Sequence, residues 1–387
     1  MSEWQKTTLG ESTELLTGFP FKSANYTDDE SGIALVRGDN VVQGRFRWDD
    51  VKRWPKNETA EVSNYFLQTG DVILAMDRPW IDAGLKYACV ANEDLPCLLV
   101  QRVTRLRARN GLDQGFLRYV IGSREFTDYV LAVQTGTAVP HISSGQIKQF
   151  QFQCPPSSEQ RAIAAVLGSL DDKIELNRRM NETLEALAQS LFKSWFVDAT
   201  QSALPKGWKV MKFGEFIERL SVGEKYDQKS ASPSGKIPIL DQGKSGVIGF
   251  HNNEPGVVAS LEKPVVVFAN HTCYMRLITF PFSAIQNVLP FVGAGVDTLW
   301  AYYATQGRLA FSEYKGHWPD FVIQETVVPP EEFTKRFADI VRPLVSRIQK
   351  NEEESRTLAA LRDALLPKLL SGELRVPAAS GSMEARV

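Results

Sequence analysis

Two long segments of this chain, 157–198 and 331–372, repeat one another at a constant offset of 174 residues. The copies align without a gap, and matched residues include Pro155 with Pro329, Ile174 with Ile348, Asn177 with Asn351 and Leu184 with Leu358. A weaker repeat precedes each copy and pairs Trp4 with Trp208 and Gly10 with Gly214. Because repeated sequence implies repeated structure, the chain is organised as domain, long segment, domain, long segment.

Apolar residues in both segments are spaced alternately three and four residues apart, which is the heptad pattern of a coiled coil. The predicted seam consists of Ile163, Leu167, Leu170, Ile174, Asn177, Leu184 and Leu191 in the first copy, and of Phe337, Val341, Leu344, Ile348, Asn351, Leu358 and Leu365 in the second. One such stripe alone is also typical of an ordinary helix that faces a core. Two matched copies favour long spacer helices that pack on each other, with the two asparagines fixing the register.

The connection between the copies predicts how the two helices run. Segment 199–207 is a short linker that contains proline and glycine. A parallel pair would need a long return connection, whereas an antiparallel pair places one domain at each end. We therefore predict an α+β fold in which two domains of mainly antiparallel sheet plus helices, 1–156 and 208–330, are separated by two long antiparallel coiled-coil helices with pseudo-twofold symmetry.

Short β-type runs bounded by turn residues fill both domains. In the first domain, strands are predicted at 33–36, 72–76, 98–106 and 147–154, with helices at 116–122 and 125–134. In the second, strands are predicted at 257–260, 265–269, 273–279 and 321–328, with a helix at 297–311. The tail 373–387 is small and polar, and it is predicted to be disordered.

Catalytic motifs are missing from the sequence. It contains no Walker-type phosphate loop, no G-x-S-x-G elbow, no H-E-x-x-H and no G-x-G-x-x-G after a strand. His271 and Cys273 have no second pair of ligands at zinc-finger spacing, so no metal site is predicted. Asp171, Asp172 and Glu175 are of the type that nucleases use, but they avoid every seam position and are predicted to form the solvated face of the helix. We predict that the chain is not an enzyme and binds no cofactor itself.

Composition and charge indicate the cellular compartment of the protein and limit where it can bind nucleic acid. No apolar run approaches the ~18 residues of a membrane span, and the N-terminus lacks the pattern of a secretory signal. The four cysteines are scattered, which excludes a disulfide framework and predicts reduced thiols in a cytoplasmic protein with no membrane association. The net charge is −2, so any surface that binds nucleic acid must be a local patch.

Two stretches of the first domain are candidates for such a patch. Arg45 and Arg47 alternate with aromatic residues and precede Lys52, which suits phosphate contacts with adjacent stacking. A solvated loop anchored by tryptophans is the alternative. Thr137 and His141 lie between a predicted helix and a strand, where exposed amides can approach a groove, although a plain connecting loop fits equally well.

Several loose motifs follow one another in a fixed order along the chain. They are Gly18-Phe19-Pro20-Phe21-Lys22, Gly70-Asp71-Val72-Ile73-Leu74, Gly136-Thr137 with His141-Ile142, Pro155-Pro156 with Glu159-Gln160, and Leu365-Leu366-Pro367-Lys368. In this order and partly duplicated, they resemble the DNA-specificity subunit of type I restriction-modification systems. The second domain departs from the pattern, because Lys315-Gly316-His317-Trp318 stands in place of the Gly-Thr motif.

The resemblance implies a function and a set of partners. Each domain would be a target-recognition domain that reads one half of a bipartite double-stranded DNA sequence, and the helices would set the gap. The partners would be two methyltransferase subunits and the restriction/translocase subunits, which would carry S-adenosylmethionine, ATP and magnesium. The residues predicted to bind DNA are Lys22, Arg45, Arg47, Lys52, Arg78, Lys86, Thr137 and His141 in the first domain, and Lys225, Lys229, Lys244, Arg276, Lys315 and His317 in the second.

Two other classes of function stay open from the sequence. One is an enzyme that modifies or cleaves DNA alone through an unrecognised site, against which the missing cofactor loops argue. The other is an adaptor whose two domains bind proteins and leave DNA untouched. Salt-dependent binding to duplex DNA separates the adaptor from a specificity subunit.

Overall fold

A computed structural model of the protein describes residues 4–136, 138–243, 246–311, 313 and 315–376. The chain forms two compact units. Unit 1 comprises Met1–Ile174 together with Arg356–Val387, and unit 2 comprises Glu175–Ser355. Each unit therefore contains one of the two domains and a part of both long helices.

Unit 1 begins with short strands and helices that build the first domain. The strands are β1 (Gln5–Thr8), β2 (Thr13–Thr17), β3 (Ile33–Val36), β4 (Gln43–Gly44), β5 (Arg53–Trp54), β6 (Val72–Ala75), β7 (Trp80–Ile81), β8 (Gly84–Leu85), β9 (Tyr87–Cys89), β10 (Cys97–Leu99), β11 (Val103–Ala108) and β12 (Gln151–Cys154). The helices are α1 (Leu9–Ser12), α2 (Gln114–Ile121), α3 (Arg124–Val133), α4 (Ser144–Gln149) and α5 (Ser157–Phe192). One sheet has the order β2-β11-β6-β9-β4 and another β10-β3-β5, while β1 pairs with β12 and β7 with β8.

The central strand β6 explains how the first domain closes around its core. Val72 and Leu74 belong to one apolar cluster, and Ile73 and Ala75 belong to another, as the alternation of side chains along a strand requires. The first cluster also contains Ile163 and Leu167 of α5 and a leucine, Leu369, from the second long helix. Both long helices therefore complete the core of unit 1.

Unit 2 repeats this plan with its own strands and helices. The strands are β13 (Lys209–Lys212), β14 (Ile217–Arg219), β15 (Lys225–Tyr226), β16 (Ile237–Leu240), β17 (Val247–His251), β18 (Val265–Ala269), β19 (Met275–Ile278), β20 (Ser283–Ile285), β21 (Val288–Gly293) and β22 (Glu325–Val328). The helices are α6 (Phe213–Phe216), α7 (Thr298–Thr305), α8 (Trp318–Val322) and α9 (Glu331–Ser371). The sheets have the orders β14-β21-β18-β19 and β15-β20-β16-β17, and β13 pairs with β22.

The two domains share their opening and closing elements, while the strands between them differ in number and in sheet order. Both open with a strand, a one-turn helix and a strand, and in both the opening strand pairs with the strand that leads into a long helix. The helices α2 and α7 are each capped by an aspartate, Asp113 and Asp297, whose side chain accepts a hydrogen bond from the first turn. The structural repeat thus extends through the domains, where the sequence repeat is weak.

Hydrogen bonds between α5 and α9 show that the helices run antiparallel. In unit 1, Arg362 donates to Asp171 at 2.8 Å. In unit 2, Asn177 donates to Glu354 at 2.9 Å and Asn351 donates to Asn181 at 2.7 Å, so later residues of α5 meet earlier residues of α9. None of the fourteen predicted seam residues is exposed, and the two asparagines are fully buried as predicted. The predicted α+β class with long antiparallel helices is confirmed.

Four predicted strands differ from the observed ones. In the run 257–260, only Val257 pairs, through an isolated bridge to Phe282. The run 98–106 splits into β10 and β11, because Arg102 takes a left-handed φ of 65° and turns the chain between two sheets. The run 147–154 starts inside α4, which a capping box between Ser143 and Gln146 nucleates, and becomes β12 only from Gln151. The run 321–328 also begins inside a helix, α8, which has a proline in its first turn, so period-two alternation was misleading next to a short helix.

The carboxylate of Asp171 corrects the expectation of a solvated helix face. Its side chain is 11% exposed and accepts hydrogen bonds or ion pairs from Tyr119, Arg118 and Arg362. The heptad pattern orients a residue relative to the partner helix only, and here α2 covers the adjoining face of α5. Asp172 beside it is exposed, as predicted.

The ends of the spacer helices lie close to the predicted bounds but differ in detail. The first helix, predicted as 157–198, is α-helical to Phe192 and continues as a π-helical turn at Lys193–Val197. The tail predicted from residue 373 starts with described residues, and there Arg375 bonds to Glu159 while stacking on Trp4. Residues 377–387 lie outside the described part of the chain.

Candidate nucleic-acid interface

Three basic residues predicted in the first domain lie near one another. The charges of Arg47 and Arg78 act on the ammonium group of Lys86, as do those of Asp39 and Asp77. Burial of half of the Lys86 side chain is the main cause that lowers its pKa, and the two arginines lower it further. These residues come from three separate loops or strands, which the fold brings to one surface.

His141 is held beside this surface by an aspartate. Its Nδ1 lies 2.6 Å from Asp77 Oδ1, and the other oxygen of Asp77 accepts a hydrogen bond from Arg102 at 2.5 Å. Burial alone would raise the pKa of Asp77, but the hydrogen bonds from Arg102 and His141 outweigh it and lower that pKa. The backbone of Thr135 pairs with that of His141, and Gly136 makes the turn with a φ of +91°. Thr137, the other predicted residue of this loop, lies outside the described residues.

The basic and aromatic stretch of the first domain has its aromatic side chains turned inward. Phe46 is 5% exposed in an apolar cluster, and Trp48 donates a hydrogen bond to Asp94 at 2.7 Å. Arg45 and Arg47 between and beside them are exposed. The ring of Phe46 is therefore not available for base stacking, whereas Trp48 is half-buried and lines an open cavity. Arg47 Nη2 donates to the carbonyl of Asp39 at 3.3 Å. Lys22 and Lys52 are also exposed.

A hairpin that the sequence analysis did not single out projects from the same region. It consists of β7 and β8, and its residues Trp80 and Ile81 are 37% and 39% exposed. Arg78 and Lys86 flank it on the two sides in sequence. Two large apolar side chains in a turn-rich stretch between two cations were the signal that could have identified it.

Three predicted residues of the second domain are engaged inside that domain. Arg276 donates to the backbone carbonyls of Asp241 and Gly246, and burial lowers its pKa. Lys315 forms ion pairs with Glu313 and Asp320, both at 3.1 Å. In this conformation these groups hold loops in place.

His317, predicted to bind DNA, is 1% exposed. Its Nε2 lies 3.0 Å from the carbonyl of Glu313, and its backbone N–H donates to the carbonyl of Asn270. The His317 segment bonds to the residue directly after β18, and the His141 loop pairs with the chain just after β6. The two loops therefore occupy equivalent places in their domains. Only the first of the two histidines reaches the surface.

A chain of adjoining cavities marks the open face of the second domain. Cavities of about 610 and 620 Å³ share Lys225 and Gln286, and the second adjoins one of about 280 Å³ through Gln242 and Thr272. Glutamine amides and a lysine are side chains that bind base edges and phosphates. The glutamines were not predicted, since nothing local in the sequence distinguishes them. Of the other predictions here, Lys229 is exposed and Lys244 lies outside the described residues.

A buried polar network supports one wall of these cavities. His251 Nδ1 accepts from the backbone N–H of Asn253, so Nε2 carries the proton and donates to Ser283 Oγ at 2.9 Å. Ser283 Oγ also accepts from the N–H of Gly256, and the His251 ring stacks on Tyr226. The network fixes β15 and β20 under the cavity that contains Lys225.

Replacing Ser283 with alanine is expected to lower the free energy of unfolding by about 2 kcal/mol. The change leaves two buried donors, on His251 and Gly256, without their acceptor. Urea unfolding of the full chain measures this, with Ser234→Ala at an exposed position as the control. Equal stability of the two variants would show that the network contributes nothing.

The described residues contain neither a metal-binding cluster nor a membrane-spanning helix. Across the described ranges, no group of three His, Cys, Asp or Glu side chains is arranged to hold a metal ion. Among those same residues, no helix combines the length and apolar character needed to cross a membrane.

Residues 1–186 match the family model described as "Type I restriction modification DNA specificity domain". This match covers just under half of the chain and makes that part similar to the type I restriction-modification specificity family. Members of this specificity family with curated names include the type I restriction enzyme MjaIX specificity subunit of Methanocaldococcus jannaschii, which is 24% identical over 82% of this chain and 80% of its own. The type I restriction enzyme EcoAI specificity subunit of Escherichia coli is 32% identical over an alignment that covers 48% of this chain and 31% of that relative.

The fold of the specificity family is also found by structural comparison. The crystal structure of the type I restriction-modification system S subunit from M. genitalium superposes with a TM-score of 0.55 at 16% identity. The match covers 95% of this chain and 96% of that one. Subunits that carry the name specificity subunit are non-catalytic components of such systems.

Proposed function

We propose that this chain reads a bipartite duplex DNA target, one half with each domain, and holds the two domains at a fixed separation through α5 and α9. The observation that carries the proposal is the structural repeat: both domains open with a strand, a one-turn helix and a strand, and both close with a strand that leads into a long helix. The same two long helices run through both units. A duplicated domain is the arrangement expected for two separate half-sites, as dimeric DNA-binding proteins read two half-sites.

The surfaces described above supply the contacts that such reading needs. In the first domain the candidates are the arginines and lysine around Lys86 together with His141. In the second domain the candidates are Lys225 and the glutamines of the cavities. Because the net charge of the chain is −2, only these local groups provide phosphate contacts from this chain. Partner subunits bind the remaining phosphates of the duplex.

The long helices also supply a docking surface for partners. Apolar side chains that do not face the seam stay exposed at positions that the repeat relates, Val166 with Ile340 and Leu187 with Leu361, each between 36% and 47% exposed. Equivalent surfaces on the two copies fit two copies of one partner, which we assign as methyltransferase subunits. The restriction/translocase subunits would join this complex, and S-adenosylmethionine, ATP and magnesium would be bound by the partners.

Exchange of residues 1–156 for the corresponding domain of a relative is expected to change one half of the target and leave the other half unchanged. Each domain has its own sheets, and the long helices complete its core, so its reading surface moves with the exchanged segment. The measurement is methylation mapping by sequencing in cells that express the chain with its methyltransferase subunit. Exchange of 208–330 is the matched control and should alter the other half. Alteration of both halves by either exchange would refute independent reading.

A further inference from the structure

The first domain concentrates its exposed apolar side chains in one place. Among its described residues, the large apolar side chains that remain exposed are Trp80, Ile81, Leu131 and Val139. Trp80 and Ile81 form strand β7, and Val139 lies next to Pro140, whose carbonyl accepts a hydrogen bond from the backbone of Arg78 at 2.7 Å. Three of the four therefore lie on two segments that this bond joins. Exposed apolar residues clustered in this way indicate a contact surface.

Positive charge surrounds this apolar group. Arg78 and Lys86 enclose the hairpin, and the N–H of Lys86 donates to the carbonyl of Pro79 at 2.7 Å. The charges of Arg47 and Arg78 act on Lys86, while one of the nearby acids, Asp77, is already bonded to His141 and Arg102. Asp39 is close as well and pairs with Arg37. Asp82, which is exposed in the turn between β7 and β8, places a negative charge at the end of the hairpin, so the cations lie at its base. A base with this charge is complementary to a polyanion.

The hairpin is also held in a defined conformation. The side-chain amide of Gln43 donates to the carbonyl of Gly84 at 3.2 Å. Arg78 takes a left-handed φ of 44°, which is unfavourable for a residue with a side chain and persists only where the surroundings impose it. Such conformations are concentrated where a protein contacts a ligand. The apolar side chains are therefore presented by a fixed element, not by a flexible loop.

We propose that the β7–β8 hairpin enters a groove of the first DNA half-site, where Trp80 and Ile81 pack on sugars and base edges while Arg78 and Lys86 bind the flanking phosphates. Proteins that bind DNA grooves use apolar side chains in this way beside arginine and lysine contacts. The proposal rests on the proposed function and adds to it the apolar contacts of Trp80 and Ile81 with DNA. A protein partner on the same surface is the competing occupant that the experiment must exclude.

The apolar and charged contacts predict different salt dependences. Trp80→Ala and Ile81→Ala are expected to weaken binding about tenfold at every salt concentration, because stacking and apolar contacts release no counterions. Lys86→Ala is expected to weaken binding and to reduce the slope of log K against log salt by about one. Leu131→Ala, which truncates a side chain with the same 39% exposure as Ile81 on α3, is the matched control and should bind as the unmodified chain does.

The measurement is fluorescence anisotropy of a labelled duplex carrying the site identified by methylation mapping, with the full chain in complex with its methyltransferase subunit. Thermal unfolding of each variant checks that the fold is intact, and Trp80→Phe should retain most of the affinity. If the unmodified complex does not prefer this duplex, the proposed function fails. If it does, but Trp80→Ala and Ile81→Ala bind like Leu131→Ala, only the hairpin proposal fails. Loss of methyltransferase binding by these variants would instead identify a protein interface and also overturn it.

Discussion

Replacement of Asp171 with alanine is expected to lower the free energy of unfolding of unit 1 by about 3 kcal/mol. The sequence alone predicts a much smaller effect, because it places Asp171 on the solvated face of the helix. Its carboxylate is the shared partner of Arg118, Arg362 and the hydroxyl of Tyr119. Removal of one member of a buried ion network leaves the remaining charges uncompensated, which costs about 3–5 kcal/mol when they are fully buried. Both arginines are more than a quarter exposed, and Arg362 keeps a second partner in Asp363 at 2.7 Å, so the lower end applies.

Asp172→Ala provides the control for this prediction, because it removes the same group one residue away at an exposed position. Urea unfolding followed by fluorescence and by circular dichroism measures both variants, and agreement of the two probes tests whether the transition is two-state. The double variant Asp171→Ala with Arg362→Leu should recover part of the loss, since one stranded charge is gone. A stability equal to that of Asp172→Ala would mean that the network is structurally neutral.

Insertion of one heptad into each long helix is expected to lengthen the unread gap of the target by up to about three base pairs. Seven residues add roughly 10 Å of helix, and duplex DNA rises about 3.4 Å per base pair. The insertions belong after Leu184 in α5 and after Arg347 in α9, because Asn181 bonds to Ile348 and Asn351 and so places these points at the same level. The asparagine network on one side and the apolar contacts on the other then keep their partners.

Methylation mapping of the double-insertion variant tests this directly, with both half-sites expected to be unchanged in sequence. Weaker activity is expected as well, because three base pairs rotate the second half-site by about a third of a turn. A seven-residue insertion in the linker 199–207 is the control and should leave the gap as it is. An active double-insertion variant that retains the original gap would show that the helices do not set it.

The helical framework was predictable because its determinants are local. Heptad spacing, the matched asparagines and the proline pairs before each long helix all lie within one segment, and the structure buries or half-buries every seam residue. The same holds for β3 and β18, which coincide with the predicted runs 33–36 and 265–269. Strands that follow a short capped helix were not predictable, since capping and alternation give opposite indications there.

The candidate interface was predictable only in part, because exposure depends on residues distant in the chain. Arg276 and His317 have the residue types of DNA ligands, but carbonyl groups of Gly246 and Glu313 engage them. Asp171 is buried because α2 packs beside it. Trp80 and Ile81, which the sequence analysis did not single out, stay exposed in a two-stranded sheet of their own. Whether the predicted residues contact DNA stays a prediction for the experiments above.

The division of the chain into units has a consequence for its synthesis. Unit 2 is one continuous stretch, whereas unit 1 is assembled from two stretches that flank it. As the ribosome releases the chain from its N-terminus, 175–355 can complete their unit while Leu369, which closes the core of the first unit, has not yet been made. Domains usually mature in the order of synthesis. Here residues translated after unit 2 finish the unit that was begun first. A nascent chain stalled near residue 355 would therefore leave Ile163 and Leu167 without their partners from α9.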